Sequence, residues 1–161
     1  MIYSKTCEYA IRALSYISSK GKGVFTMIPE VGRETGVPGP YVAKIFQGLV
    51  RNGILNSRRG PGGGFSMNKA PEQVSLWEIV EAIDDSSSFK DDCVMGLNDC
   101  SSASACPLHE VWDKARAKIL DKLRSSTLKQ LTGKNAKFEY RALKRSRLSE
   151  TLQLGILKEL A

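Results

Sequence analysis

Histidine is almost absent from this 161-residue chain, and long apolar runs are absent altogether. No hydrophobic stretch approaches the roughly 18 residues of a membrane-spanning helix, so no membrane partner is expected. Residues 1–8 lack the basic region and apolar core of a signal peptide, which indicates a cytoplasmic protein. With a single histidine, no nucleotide-binding loop and no paired catalytic carboxylates, the sequence does not indicate an enzyme.

Cysteine is also scarce, with four residues in the chain. In a reducing cytoplasm, cysteines serve as metal ligands or redox groups more often than as structural disulfides. The hydrophobic fraction of 42% and the charged fraction of 25% are those of a globular protein, and the length allows one compact domain plus an extension.

Positive charge exceeds negative charge and is concentrated at the two ends of the chain. Residues 1–70 contain 10 basic and 3 acidic side chains, residues 71–133 contain 7 and 11, and residues 134–161 contain 7 and 3, which gives the net charge of +7. A basic N-terminal block favours a polyanion as partner, although a solvated surface has the same composition.

The first half of the chain has the pattern of a helix-turn-helix. Apolar residues at helical spacing predict a first helix over residues 4–21. A second helix is predicted within residues 26–36 and, after a glycine-containing turn, a third over residues 40–52. The last helix of such a motif enters the major groove, and the DNA-binding residues expected on it are Pro40, Tyr41, Ala43, Lys44, Gln47 and Arg51.

A glycine-rich hairpin is predicted directly after the third helix. Residues 54–58 and 65–67 form its strands, and the tip between them has almost no side chains. A bare tip lets the backbone approach a surface closely, so the hairpin indicates the wing of a winged helix. The alternatives are a hairpin without a partner and a phosphate-binding loop, but the P-loop lysine and hydroxyl residue are missing. The DNA-binding residues expected here are Arg58, Arg59, Gly60, Gly62 and Gly63, with Arg59 in the minor groove.

Two further helices are predicted in the second half of the chain. Residues 76–83 form a short amphipathic helix, and a long helix runs from Pro107 to Leu131. The long helix has an apolar stripe of Leu108, Val111, Trp112, Ala115, Ile119 and Leu123. A small winged helix leaves little of its own chain to cover this stripe, so we expect a twofold dimer, with packing against the first helix as the alternative.

The predicted fold is mainly α with a small β-wing: a winged helix-turn-helix domain plus a long dimerisation helix. The DNA-binding domain covers residues 1–84, and a cysteine-bearing, cluster-binding loop covers residues 85–106. The dimerisation helix covers residues 107–133, and residues 134–161 form a basic extension with a helix of its own.

Three cysteines and the histidine form a candidate metal site with the spacing Cys93-x6-Cys100-x5-Cys106-x2-His109. Thiolates bind iron–sulfur clusters and zinc alike. The gaps are wider than those of a zinc knuckle, which favours a cluster, with zinc and a thiol switch as alternatives. Alternatively, His109 is not a ligand and is a capping or solvent-exposed residue at the start of the long helix. Glu8 is another candidate ligand, although a carboxylate in the first turn of a helix also interacts favourably with the helix dipole.

Several motifs occur in order along the chain. They are Tyr9-Ala10-Ile11-Arg12-Ala13-Leu14, Arg51-Asn52-Gly53-Ile54-Leu55, Arg58-Arg59-Gly60-Pro61-Gly62-Gly63-Gly64-Phe65 and Val80-Glu81-Ala82-Ile83-Asp84, followed by the three cysteines. Together they resemble a family of bacterial winged-helix regulators that includes the iron–sulfur cluster regulator IscR, the nitric-oxide-responsive repressor NsrR and the cysteine-metabolism regulator CymR. The likeness extends from residue 1 to about residue 133.

The resemblance implies a homodimer that binds pseudo-palindromic operator DNA and holds a 2Fe–2S or 4Fe–4S cluster, with 2Fe–2S favoured, on Cys93, Cys100 and Cys106. IscR-like members take their fourth ligand from a histidine three residues after the last cysteine, where His109 stands. NsrR-like members use a carboxylate from helix 1 of the opposite subunit, where Glu8 stands. CymR-like members lack the cysteine trio. The first gap has six residues where the IscR pattern has five, so the fourth ligand stays open.

The function implied is that of a homodimeric transcriptional regulator that senses iron–sulfur status, redox state or nitric oxide through the cluster. A winged-helix regulator with a zinc or thiol switch is the first alternative. An iron–sulfur electron carrier or enzyme is the second.

Overall fold

The computed structural model describes residues 3–84, 93–96 and 106–132. Its elements are α1 (Lys5–Ser19), α2 (Ile28–Thr35), α3 (Gly39–Arg51), β1 (Leu55–Arg58), β2 (Gly64–Met67), α4 (Leu76–Ile83), α5 (His109–Ser125) and α6 (Leu128–Thr132), with a 3-10 turn at Pro71–Gln73. The predicted fold class is confirmed, since the described chain is mainly helical with one small hairpin. None of the described helices is long and apolar enough to cross a bilayer. The helix predicted within residues 134–161 lies outside the described residues.

Helix α1 lies at the centre of the core because its apolar residues recur at helical spacing. The hydroxyl of Ser4 caps it by accepting a hydrogen bond from the amide of Cys7 at 3.1 Å. The fully buried residues of the predicted apolar face are Ala10, Ala13, Leu14 and Ile17. The other helices of the winged-helix domain pack around this face.

Helices α2 and α3 are joined by a tight turn, as predicted for a helix-turn-helix. Pro29 lies in the first turn of α2, where its missing N–H costs little. Gly36 ends the helix with a φ of 68°, a left-handed conformation that favours glycine. The core-facing residues of α3 are Val42, Ile45, Phe46 and Leu49. The opposite face of α3 is therefore left to solvent.

The wing is held against α3 by its own second strand. Strands β1 and β2 pair as an antiparallel hairpin. Thr26 and Phe65 exchange two backbone hydrogen bonds of 2.9 Å, so the segment before α2 lies beside β2. The ring of Phe65 packs on that of Phe46 in α3, with centroids 4.9 Å apart. These contacts fix the wing relative to the third helix.

The prediction of one helix over residues 107–131 is wrong. The segment forms two helices, α5 and α6, separated at residues 126–127. The linker pairs with the start of α4, where the amide of Leu76 donates to the carbonyl of Ser126 at 2.9 Å. Extended backbone at Ser126 ends the helix, and Leu128 is then fully buried in the core. Helix α6, which follows the predicted stripe, contacts α1.

The predicted apolar stripe of α5 is divided between two environments. Leu123 of the stripe packs against the core, as does Leu120 beside the stripe, and α5 contacts α4. Leu108 and Val111, by contrast, are 46% and 69% exposed. No residue of α5 is fully buried in the single chain. Part of the helix therefore presents apolar side chains to solvent.

Candidate DNA-binding surface and cysteine pair

The solvent face of α3 contains the residues predicted to bind DNA. Five of the six are exposed, and Ala43 is half-buried; the exposed ones are Pro40, Tyr41, Lys44, Gln47 and Arg51. The ring of Tyr41 meets that of Tyr9 in α1 edge to face, with centroids 5.7 Å apart. This contact orients the N-terminal part of α3. In a recognition helix, the N-terminal residues are the ones that reach base edges.

A cleft of about 560 Å³ lies between α3 and the wing. It is lined by Gln47, Val50, Arg51, Ser57, Arg58, Arg59, Gly64 and Phe65. The three arginines make the cleft basic, as contact with a phosphate backbone requires. Residues predicted separately from the third helix and from the hairpin therefore share one surface.

The two neighbouring arginines of the wing have different surroundings. The guanidinium carbon of Arg58 lies 4.2 Å from the centroid of the Phe25 ring, and its Nη2 donates to the carbonyl of Gly62 at 2.5 Å. Arg59 is exposed and makes no hydrogen bond or ion pair within the described residues. Arg59 is thus available to a ligand, whereas Arg58 is engaged with the protein. No local pattern in the sequence pointed to Phe25 as a partner.

The glycines at the wing tip fall into two groups, those where a Cβ would clash with the protein and those where it would not. A Cβ at Gly63 would lie 2.3 Å from the carbonyl oxygen of Arg58, and one at Gly64 would lie 2.5 Å from that of Thr26. The fold itself therefore requires these two residues. A Cβ at Gly60 would meet nothing within 4 Å, although its φ of +85° favours glycine. Gly60 leaves the tip open for a close approach.

Cys93 and Cys106 come together, although 13 residues separate them in sequence. Their Sγ atoms are 3.9 Å apart. Cys93 is buried and Cys106 half-buried. The amide of His109 donates to the carbonyl of Cys106 at 2.9 Å, so this histidine starts α5 one turn after the cysteine. Cys100 lies outside the described residues.

The separation of the two thiols fits a pair of ligands on one metal ion. Two thiolates at about 2.3 Å from a tetrahedral ion lie about 3.8 Å apart, whereas a disulfide bond measures about 2.05 Å. Within residues 3–84, 93–96 and 106–132, no three potential ligands gather into a metal site. The described donors therefore provide two soft ligands, and the third predicted thiolate is that of Cys100.

Glu8 is occupied by two cations. Its Oε2 accepts from Nζ of Lys5 at 2.6 Å, and its Oε1 pairs with Nη2 of Arg12 at 2.5 Å. The side chain of Arg12 is only 2% exposed, so Glu8 neutralises a buried charge. The hydrogen bond from Lys5, followed by the charges of Lys5 and Arg12, holds the pKa of the Glu8 carboxyl below its usual value. Sequence reasoning missed Arg12, although its i,i+4 spacing from Glu8 is a signal for an ion pair.

Cys7 is a core residue and takes no part in the cysteine pair. Its side chain is fully buried. Burial, assisted by the nearby carboxylate of Asp84, raises the pKa of the thiol to about 12. A thiol that stays protonated is a poor metal ligand.

Comparison with known proteins places the chain in a family. Residues 3–134 match the Rrf2 family, described as iron-dependent transcriptional regulators. A candidate HTH-type transcriptional regulator of Aquifex aeolicus is 30% identical over 133 residues, which cover 81% of this chain and 91% of the relative. The HTH-type transcriptional regulator IscR of Pectobacterium carotovorum is 25% identical over 124 residues, which cover 77% and 74%.

Solved structures have the same fold. CymR, the global cysteine regulator of B. subtilis, superposes with a TM-score of 0.67 at 20% identity, covering 80% of this chain and 94% of CymR. IscR of T. potens gives a TM-score of 0.62 at 18% identity, covering 88% and 94%. The family consists of DNA-binding regulators and not of enzymes, which confirms that prediction. With 132 of its residues matched, the chain belongs to the Rrf2 family of iron-dependent transcriptional regulators.

Proposed function

We propose that this DNA-binding regulator acts in the cytoplasm as a homodimer on pseudo-palindromic operators, and that an iron–sulfur cluster at the cysteine pair sets its operator affinity. One observation carries the proposal. The thiols of Cys93 and Cys106 meet at 3.9 Å at the base of α5, the helix whose open face is available to a second copy. Ligand chemistry and dimer geometry therefore coincide at one place in the fold.

The DNA-binding surface divides its contacts between two grooves. With α3 in the major groove, Gln47 faces base edges, and Lys44 and Arg51 reach phosphates. The wing then lies along the adjacent minor groove, where a narrow groove has the most negative potential and attracts Arg59. Phosphate contacts set affinity, and groove contacts set the choice of sequence.

A second copy of the chain covers the open side of α5. Four large apolar side chains near the cysteine pair and the start of this helix are exposed: Val94, Met95, Leu108 and Val111. Exposed apolar groups that cluster in this way mark interaction surfaces. Two recognition helices related by a twofold axis bind half-sites about 34 Å apart, one turn of DNA, so such a dimer requires a pseudo-palindromic operator.

Cys93, Cys100 and Cys106 would hold the cluster, and His109 would be its fourth ligand. When bound, the cluster supplies one-electron redox chemistry whose potential depends on its ligands. A 2Fe–2S cluster takes two protein ligands on each iron, whereas a 4Fe–4S cluster takes one on each. Two thiols separated like the ligands of one tetrahedral ion therefore support 2Fe–2S.

His109 is a better candidate than Glu8 for the fourth ligand. The carboxylate of Glu8 is the counter-ion of the buried Arg12. A transfer of this carboxylate to a metal in the partner subunit would leave the guanidinium without its counter-ion, which is costly for a buried charge. His109 lies at the start of α5, and its amide bonds to the carbonyl of Cys106, one turn from the cysteine pair.

A zinc or thiol switch is the second candidate function, and the same distance favours it. A separation of 3.9 Å also fits a single zinc ion. Two thiols this close can also form a disulfide when an oxidant is present. In either case the winged-helix surface and its DNA partner are unchanged.

The test uses the full chain purified without oxygen. Iron, acid-labile sulfide and zinc are measured with the absorption spectrum, and operators are selected from random duplex DNA. We expect near-equal iron and sulfide, visible charge-transfer bands, and operator affinities of loaded and chelator-stripped protein that differ by about tenfold or more, or about 1.4 kcal/mol. A colourless protein with zinc or no metal would support the second candidate. Equal affinities would refute sensing through the cluster.

A further inference from the structure

We propose that Arg58 positions the wing rather than binding DNA, so that the adjacent arginines have separate tasks. The inference rests on the proposed contact of the wing with operator DNA. We infer that the guanidinium of Arg58 holds the wing tip against the segment before α2, whereas Arg59 alone places its charge in the minor groove. The two residues look equivalent in the sequence, but their surroundings differ.

The clamp consists of two contacts on one guanidinium. Its face lies over the ring of Phe25, 4.2 Å from the centroid, which is an efficient cation–π distance. Its edge donates from Nη2 to the carbonyl of Gly62 at the wing tip, at 2.5 Å. One side chain of β1 therefore joins the tip of the hairpin to a different part of the chain.

Phe25 is a firm anchor for this clamp. The next residue, Thr26, exchanges two backbone hydrogen bonds with Phe65, and Phe65 packs on Phe46 in the recognition helix. The ring of Phe25 is therefore fixed relative to α3. A guanidinium held on this ring also holds the wing tip in place. Among residues 60–64 only Pro61 has a side chain, and the tip's own bond runs from the amide of Gly63 to the carbonyl of Gly60.

Clamping the tip lowers the cost of binding DNA. Gly60 and Gly62 have φ values of +85° and +68° and few neighbours, so a free tip would sample many conformations. Ordering those residues on binding would cost affinity, and a clamp that orders them beforehand reduces this cost. A lysine at position 58 would keep the charge but lacks the planar fork that stacks and donates at the same time.

The experiment compares operator affinity over a salt titration for the wild type, Phe25→Leu, Arg58→Lys and Arg59→Ala. Phe25→Leu and Arg58→Lys each retain both arginine-site charges, so we expect each to weaken binding by about fivefold without a change in salt slope. Arg59→Ala removes a positive charge from the minor groove, close to the phosphates. It should therefore reduce the slope of log K against log salt by about 0.9. Val24→Ala, at the exposed neighbour of Phe25, is the matched control and should bind like the wild type.

A second readout needs no DNA. Amide hydrogen exchange at residues 62–64 should be faster in Phe25→Leu and in Arg58→Lys than in the wild type, and unchanged in Arg59→Ala. The proposal is overturned if Arg58→Lys and Phe25→Leu bind and exchange like the wild type. It is also overturned if Val24→Ala loses as much affinity as Phe25→Leu. A wild-type chain that binds no selected duplex would instead refute the proposed function, while the exchange data would still test the clamp.

Discussion

The carboxylate of Asp84 accepts two hydrogen bonds from Ser4, one from its amide at 2.7 Å and one from its hydroxyl at 2.5 Å. The same hydroxyl accepts from the amide of Cys7 and caps α1. Asp84 is the last described residue before segment 85–92. The residue that precedes the predicted cluster-binding loop is therefore hydrogen-bonded to the N-terminus of α1, the helix that contains Glu8.

Ser4→Ala removes the N-cap of α1 and a donor to Asp84 in one step. We expect it to lower the free energy of unfolding by about 1–2 kcal/mol, because an N-cap loss alone costs about 1 kcal/mol. Urea unfolding of the purified chain measures this. Ser19→Ala, at the exposed far end of the same helix, is the control and should change the stability by less than about 0.5 kcal/mol. Equal effects of the two substitutions would contradict the capping role.

The helices of the winged-helix domain could be predicted because their signals are local. Pro29 in a first turn, Gly36 after a last turn and the spacing of apolar residues in α1 each depend on a few neighbouring residues. The break at residues 126–127 could not be predicted, because a bridge to Ser75, far away in sequence, replaces the helical bonds there. Tertiary pairing overrode a helical pattern.

The candidate site was predictable in its chemistry but not in its partners. The cysteine spacing identified candidate ligands, whereas only the fold determines that Cys93 and Cys106 meet. The contact of Ser4 with Asp84 spans 80 residues and has no sequence pattern. The different surroundings of Arg58 and Arg59 are likewise a product of tertiary structure, because the two residues are adjacent and chemically identical.

Cys7 should resist alkylation in the native protein. It is fully buried and its thiol pKa is raised to about 12, so almost no thiolate exists at neutral pH. In reduced, metal-free protein treated with N-ethylmaleimide, peptide mass spectrometry should find Cys106 labelled and Cys7 unlabelled. Denaturant added before the reagent should expose Cys7 and make it reactive. Fast labelling of native Cys7 would show that the start of α1 opens readily.

Val111→Glu should dissociate the dimer without unfolding the chain. The side chain is 69% exposed, so the change costs the single chain little, whereas a buried charge at a subunit interface is costly. Sedimentation velocity should report monomers for this variant and dimers for the wild type. Ala117→Glu, at an exposed site a third of a turn round α5, is the matched control and should stay dimeric. A dimeric Val111→Glu variant would place the interface elsewhere.

Glu8→Gln should lower stability at neutral pH and much less in acid. The pKa of Glu8 is lowered in the folded chain, so its stabilising effect is present above the ordinary value of 4.5 and is lost as the pH falls through the folded value. We expect a loss of about 1–2 kcal/mol at pH 7, reduced from the value for a fully buried pair by solvent screening. Urea unfolding at both pH values measures it, and Glu34→Gln, in an exposed pair, should change little.

His109→Ala and Glu8→Gln together identify the fourth ligand. If His109 binds the cluster, its loss should shift the visible absorption bands, change the reduction potential and lower the iron content of anaerobically purified protein. Glu8→Gln should keep the wild-type spectrum and potential, because the carboxylate of Glu8 forms an ion pair with Arg12 and does not bind the cluster. The opposite result, a changed spectrum only in Glu8→Gln, would assign the ligand to helix α1 of the partner. Mixing Glu8→Gln chains with Cys106→Ala chains distinguishes the cases further, because a carboxylate from the opposite subunit would restore one cluster site that neither variant can form alone.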